Sequence, residues 1–137
     1  MAMVKKVVVT PANIGKPRTL PRNTIIRAYK AVGDSGCSAV QYADMGYKIG
    51  GVYRVARPSH SDRDDCGRGL HVGTKEWCKD FFTRFDRSRC YLAIVEFCVK
   101  DIAAVPYDYD WRCPRRKRYY GKFRVSRLKI VQKVSWR

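Results

Sequence analysis

CYLAIVEFCV, residues 90–99, is the stretch that decides what kind of fold this chain can adopt. With a period of two, Tyr91, Ala93, Val95, Phe97 and Val99 share one face, while Cys90, Leu92, Ile94, Glu96 and Cys98 share the other. Both faces are largely apolar, so an extended segment of this composition has to be covered on both sides, which predicts the central strand of a sheet. Its one carboxylate, Glu96, must be paired or carry a raised pKa on so apolar a face. That leaves two readings, a general base or the internal partner of an arginine, and the second is preferred.

Moving outward, TIIRAYKAV (24–32) is rich in β-branched residues, and GYKIGGVYRVA (46–56) predicts two strands around a bulge or turn at Gly50 and Gly51. CGRGLHVGTKEWCKDFF (66–82) predicts a glycine-permitted turn, a short strand at 70–72 and a helix capped by Thr74 that runs to about Phe85. The helix places Trp77, Cys78, Phe81, Phe82 and Phe85 along one stripe. KFRVSRLKIVQKV (122–134) alternates apolar and basic residues and reads as a strand or hairpin with a charged outer face. The sum is an α+β fold: a single domain with a mainly antiparallel sheet, one principal amphipathic helix and an extended N-terminal arm. The arm is residues 1–23, where Pro11, Pro17 and Pro21 disfavour helix and should lay the chain along another surface. Residues 24–137 form the domain, ending in a basic segment.

The 137 residues suit one core, and 45% hydrophobic residues suffice to offset chain entropy. The formal charge of +17 is confined to the ends. Residues 1–30 hold seven basic residues and no acid, residues 31–111 hold eleven basic against twelve acidic, and residues 112–137 hold eleven basic and no acid. Cationic ends on a balanced body favour a polyanionic partner: nucleic acid, whether DNA or RNA, an acidic protein face, or a membrane surface. The residues expected to make that contact are Lys5, Lys6, Lys16, Arg18 and Arg22 at one end. At the other they are Arg112, Arg115, Arg116, Lys117, Arg118, Tyr119, Tyr120 and Lys122. Tyr107, Tyr109 and Trp111 precede that run, and aromatic planes beside guanidinium groups can stack bases while neutralising phosphate, or anchor a protein interface.

Signals for chemistry are sparse. No Cys-x-x-Cys pair exists among the six cysteines, which argues against structural zinc. Cys78, Cys90 and Cys98 read as buried thiols, and a disulfide among Cys37, Cys66 and Cys113 stays open. HSDRDDC (60–66) mixes His60 and three aspartates with arginines and reads as a salt-bridged loop more than a metal site. No phosphate loop, catalytic triad or helical His-x-x-x-His pair occurs, and no cofactor is expected. The alternative catalytic residues are His71 and Glu96. The first residues lack a secretory apolar core and no run approaches a membrane span, so the chain reads as soluble and not classically secreted.

Two resemblances add to this. Gly69, Leu70, His71, Val72, Asp101, Val105 and Pro106, within residues 27–132, resemble a pattern in small phage and large DNA virus proteins, which implies a viral context. Gly67 to Val72 resembles the strand preceding a helix in ADP-ribosyltransferases of the poly-ADP-ribose polymerase type, although His71 stands where that family has tyrosine. The first resemblance, with the charge partition, implies a non-enzymatic virion, minor capsid or accessory protein, set in a virion or the host cell interior, whose cationic ends bind viral capsid or other acidic protein surfaces, DNA or RNA. The second implies a transferase-like enzyme, and an inhibitor of a host nucleic-acid machine is a third possibility.

Overall fold

The computed structural model describes residues 6–10, 13–33, 48–63, 68–82, 90–110 and 112–134. The central-strand expectation holds: β5 (Cys90–Cys98) lies antiparallel between β2 (Ile25–Gly33) and β10 (Arg127–Val134). Cross-strand register puts Ile26 opposite Phe97, Ala28 opposite Val95 and Lys30 opposite Ala93 on the inward face. Ile25, Arg27, Tyr29 and Ala31 meet Cys98, Glu96, Ile94 and Leu92 on the opposite face, which is buried at Ala31 and Leu92 and partly open toward Glu96.

The sheet runs β3 (Val52–Arg54), β10, β5, β2, β4 (Leu70–Gly73), β9 (Lys122–Val125), β6 (Ile102–Ala104). One residue, Ser126, separates β9 from β10, so these are two segments of a single strand that bends between neighbours. That bend returns the sheet upon itself and brings its two halves face to face. Phe97 of β5 meets Phe123 of β9 edge-on with ring centroids 6.0 Å apart, and Leu70, Val72, Val95, Val125, Leu128 and Ile130 complete the core around them. The strand-or-hairpin expectation for 122–134 resolves into this bent strand. Alternation slips at Ser126, whose N–H bonds the Asp101 carbonyl at 2.9 Å instead of a ladder partner.

Helix α1 (Lys75–Phe82) follows β4 and packs on β2 and β4. Thr74 Oγ1 accepts the Trp77 N–H at 3.1 Å, the expected cap. The expected last turn, 83–85, lies outside the described residues. Gly69 explains the glycine before this unit: its φ is +148°, and a side chain there would run into the stem of the wholly buried Arg124. Of the two strands expected over 46–56, the described part is β3 and the Gly50 turn before it, while Gly46 and Tyr47 lie outside.

The N-terminal segment does lie along another surface, and that surface is the protein itself. β1 (Lys6–Val8) pairs parallel with the first half of β2. Val9 and Ile14 are buried to 2% and 6% exposure in the main core, and a 3-10 turn at Pro17–Thr19 buries Pro17. Asn13 closes the turn between them, accepting from the Thr10 N–H at 2.8 Å and donating to the Val8 carbonyl at 2.9 Å. Extended backbone is confined to β1, whereas residues 13–23 form turns with Pro17 opening the 3-10 turn, Pro11 lies outside the described residues, and two aliphatic residues make the segment part of the core.

Residues 106–121, which carried no strand expectation, form a two-stranded sheet of β7 (Tyr107–Asp110) and β8 (Cys113–Tyr119). Among the described residues no helix is long and apolar enough to cross a membrane.

Candidate polyanion interface

The N-terminal cations are largely spent inside the molecule. Lys6 Nζ stands 3.4 Å from Glu96 Oε2, which also accepts Arg27 Nε at 3.0 Å and Nη2 at 2.7 Å. Arg18 grips Asp62 with both terminal guanidinium nitrogens, Nη1 and Nη2, at 2.8 and 2.7 Å. Asp62 Oδ1 also accepts the Val105 N–H at 3.0 Å, so this carboxylate ties the N-terminal segment to the connection that follows β6. The hydrogen bond from Arg18 is the chief reason that Asp62 lies below its ordinary pKa and Arg18 above its own. Lys16 and Arg22 are exposed, and Lys5 lies outside the described residues.

Glu96 is therefore the partner of an arginine. Burial is the largest single influence on it and raises its pKa, but the hydrogen bonds and charges of Arg27 and Lys6 together outweigh burial and hold the group below the usual value. A general base working near neutrality needs the opposite shift. His71, the other candidate for catalysis, sits on β4 opposite Arg124 of β9, and its carbonyl accepts Lys30 Nζ at 2.8 Å. Glu96 lies opposite Arg27 and Lys129 on different strand pairs. His60 Nδ1 lies 3.2 Å from the Ala103 carbonyl, and no cluster of metal-ligating residues occurs among the described residues. Cys78 is buried and free, and Cys37 and Cys66 lie outside the described residues.

The C-terminal cations divide. Lys122, expected in the contact surface, is instead 5% exposed, with Nζ 5.6 Å from the Trp77 ring centroid. It opens β9, a strand buried along its whole length between β4 and β6, which is why it cannot face a partner. Arg112, Arg115, Arg116, Lys117 and Arg118 are all exposed. These are five cations in seven residues with no acid among them.

The hairpin geometry explains their presentation. Tyr107 pairs with Tyr119, Asp108 with Arg118 and Tyr109 with Lys117, after which the register jumps to Asp110 with Cys113. The jump leaves Pro114, Arg115 and Arg116 without partners on β7, a bulge that proline, lacking an N–H, tolerates well. Two arginines are thereby lifted out of the ladder.

On one face, Tyr107 packs edge-on against Tyr109 and Tyr119 with centroids 5.4 and 6.2 Å apart. Lys117 Nζ lies 4.6 Å over the Tyr107 ring, and the Arg63 guanidinium is 5.0 Å from the Tyr109 centroid. Each cation over a ring contributes about 0.5–1 kcal/mol at such exposed sites. Asp108 faces Arg63 Nη2 at 3.3 Å and accepts the Tyr109 N–H at 2.7 Å, so its charge is committed.

The hairpin is anchored to the body by Tyr107 N–H on the Asp62 carbonyl at 3.1 Å and by Tyr119, whose ring packs so close to Gly15 that a Cβ there would come within 2.9 Å. Tyr119, expected as a contact residue, is thus half-buried and structural. Tyr109 and Tyr120, at 42% and 43% exposure, are the rings offered to solvent. Sequence reasoning did not single out Arg63 as part of this cluster. Its only signal is proximity in the fold, across 45 residues from Asp108. No protein-family model, curated protein or solved structure matches the chain.

Proposed function

We propose that this protein binds nucleic acid without catalysing a reaction on it, through the β7–β8 hairpin. The observation that carries the reading is the group of five exposed cations at 112–118, two of them raised on a bulge, beside the exposed rings of Tyr109 and Tyr120. Phosphates would be met by the guanidinium and ammonium groups, and unstacked bases by the two rings, a combination that favours single strands. The resemblance to phage and large DNA virus proteins is the reason to place this contact in a virion component or viral accessory protein. An acidic capsid surface is the competing occupant of the same hairpin.

The test is a titration of a labelled single-stranded oligonucleotide followed by fluorescence anisotropy, comparing wild type with R115Q/R116Q/R118Q. All three positions are exposed, so the variant should fold normally. An affinity loss of about thirtyfold or more at low salt is expected for three lost phosphate contacts. Equal affinity for the two proteins would sink the nucleic-acid reading and leave the protein interface.

A further inference from the structure

The face of the sheet that bears Glu96 carries a second cationic feature, separate from the hairpin. Arg54 on β3 and Arg127 on β10 are direct cross-strand partners, and like charges placed so oppose each other. Antiparallel partners lie roughly 5 Å apart, so the two side chains leave the sheet as near neighbours. Among the described residues, neither joins an ion pair. Glu96, on the same face, is already occupied by Arg27 and Lys6.

Both arginines line an open cleft of about 660 Å³, which Lys100, on the 3-10 turn Val99–Asp101, lines as well. Asp101 is the one acid in the lining, and its Oδ2 accepts the Cys98 N–H at 3.1 Å. The Asp101 carbonyl accepts the Ser126 N–H at 2.9 Å, which pins the turn to the bend between β9 and β10. The cleft floor is therefore built from fixed backbone, while its three cations outnumber its acid and leave a formal excess of two positive charges.

We propose that this cleft binds a phosphate monoester. Above its second pKa, near 6, such a group carries close to two negative charges and presents three oxygens, which matches the excess and the two guanidinium forks. A phosphodiester or a carboxylate carries one charge and would leave a cation unmatched. Bound phosphate also removes the Arg54–Arg127 repulsion that the free protein bears. The volume admits a nucleotide-sized group, so the phosphate could belong to a free nucleotide or to the end of a strand. The site shares no residue with the hairpin and stands or falls independently of it.

The experiment uses the full chain and thermal unfolding in inorganic phosphate, comparing wild type with R54Q/R127Q. Removing two opposed like charges should leave the free variant at least as stable as wild type at low salt, so it will be folded. Phosphate is expected to raise the melting temperature of wild type by several degrees more than that of the variant, and its general salting effect is common to both.

A second arm measures binding of 5′-phosphorylated and 5′-hydroxyl oligonucleotides, and of a nucleoside monophosphate, to R115Q/R116Q/R118Q. About tenfold preference for the phosphorylated strand over the mononucleotide identifies a strand end as the source, and equal affinity for those two identifies a free nucleotide. Equal phosphate response in wild type and R54Q/R127Q overturns the proposal, whatever the oligonucleotides do. A phosphate response in a wild type that binds no oligonucleotide leaves this site standing and removes the hairpin reading.

Discussion

Residues 6–30 and 112–118 are both basic and both free of acid, yet the fold treats them in opposite ways. In the first, Lys6 and Arg18 are folded onto Glu96 and Asp62, and Val9 and Ile14 anchor the segment in the core. In the second, five cations stand exposed on the β7–β8 hairpin, where Asp108 is engaged by Arg63. Charge summed along a chain therefore does not measure the charge a molecule presents. What matters is whether each cation has a carboxylate partner within a few ångströms, because beyond about 8 Å salt screens the remainder.

The largest consequence concerns binding. Neutralising the hairpin cations should weaken oligonucleotide affinity by about thirtyfold or more, whereas K6Q/R18Q should change it less than about threefold, since those charges are already matched. Comparable losses in the two variants, measured by anisotropy, would erase the distinction between the regions.

Stability should show the reverse order. Asp62→Ala removes the Arg18 fork and leaves the Val105 N–H unpaired, and about 2 kcal/mol of stability should be lost in urea denaturation. R115Q/R116Q/R118Q should stay within about 0.5 kcal/mol of wild type. Because the folded Asp62 pKa lies below its usual 3.8, its contribution is full above about pH 4 and disappears as pH falls through the folded value. Wild type and Asp62→Ala should therefore converge in acid.

Lys30 offers a third fate for a cation from the same N-terminal stretch. It is 2% exposed, donates to the His71 carbonyl, and burial pushes its pKa down from 10.5 to about 8. The unfolded chain then binds more protons between those values, so stability should rise with pH across that window, by about 1 kcal/mol in its first unit. Burial also pushes the Cys78 thiol up from 9.0 to about 12, which has the opposite effect across 9 to 12. Stability should climb from pH 8 to 9, level off, and fall above about 10.5. Cys78→Ala should shrink the fall to the part that Tyr91, also raised by burial, contributes with the same sign, and an undiminished decline would show that Cys78 is not a source of it.

The smallest expected effect is the most discriminating. Glu96→Gln should cost about 1 kcal/mol, since the pair is only partly buried, but should strengthen polyanion binding two- to threefold by freeing Lys6 and Arg27. Unchanged or weaker binding would mean that these side chains never become available.

Much of this fold is written in local pattern. CYLAIVEFCV is apolar on both faces and became the strand with neighbours on both sides, and Thr74 followed by the Trp77 and Cys78 stripe became a capped helix. The hairpin was less legible because Tyr107–Asp110 and Cys113–Tyr119 lack a buried aliphatic face. The period-two alternation of Tyr-Asp-Tyr-Asp was there, but its partner carries a three-residue bulge that destroys the matching rhythm. The pairing of Glu96 with an arginine followed from its apolar surroundings. The Arg18–Asp62 fork, 44 residues apart, followed from nothing local and decided which basic end stayed available. The Arg54–Arg127 juxtaposition is likewise a product of register alone.

The most direct test of that division is the salt dependence of oligonucleotide binding. For wild type, the logarithm of affinity should fall with the logarithm of salt concentration with a slope of about −3 to −4, as five cations meeting single-stranded phosphates would give. R115Q/R116Q/R118Q should reduce the slope to about −1 to −2, and K6Q/R18Q should leave it at the wild-type value. A wild-type slope near zero, or a slope lowered by K6Q/R18Q and untouched by the hairpin substitutions, would contradict the account.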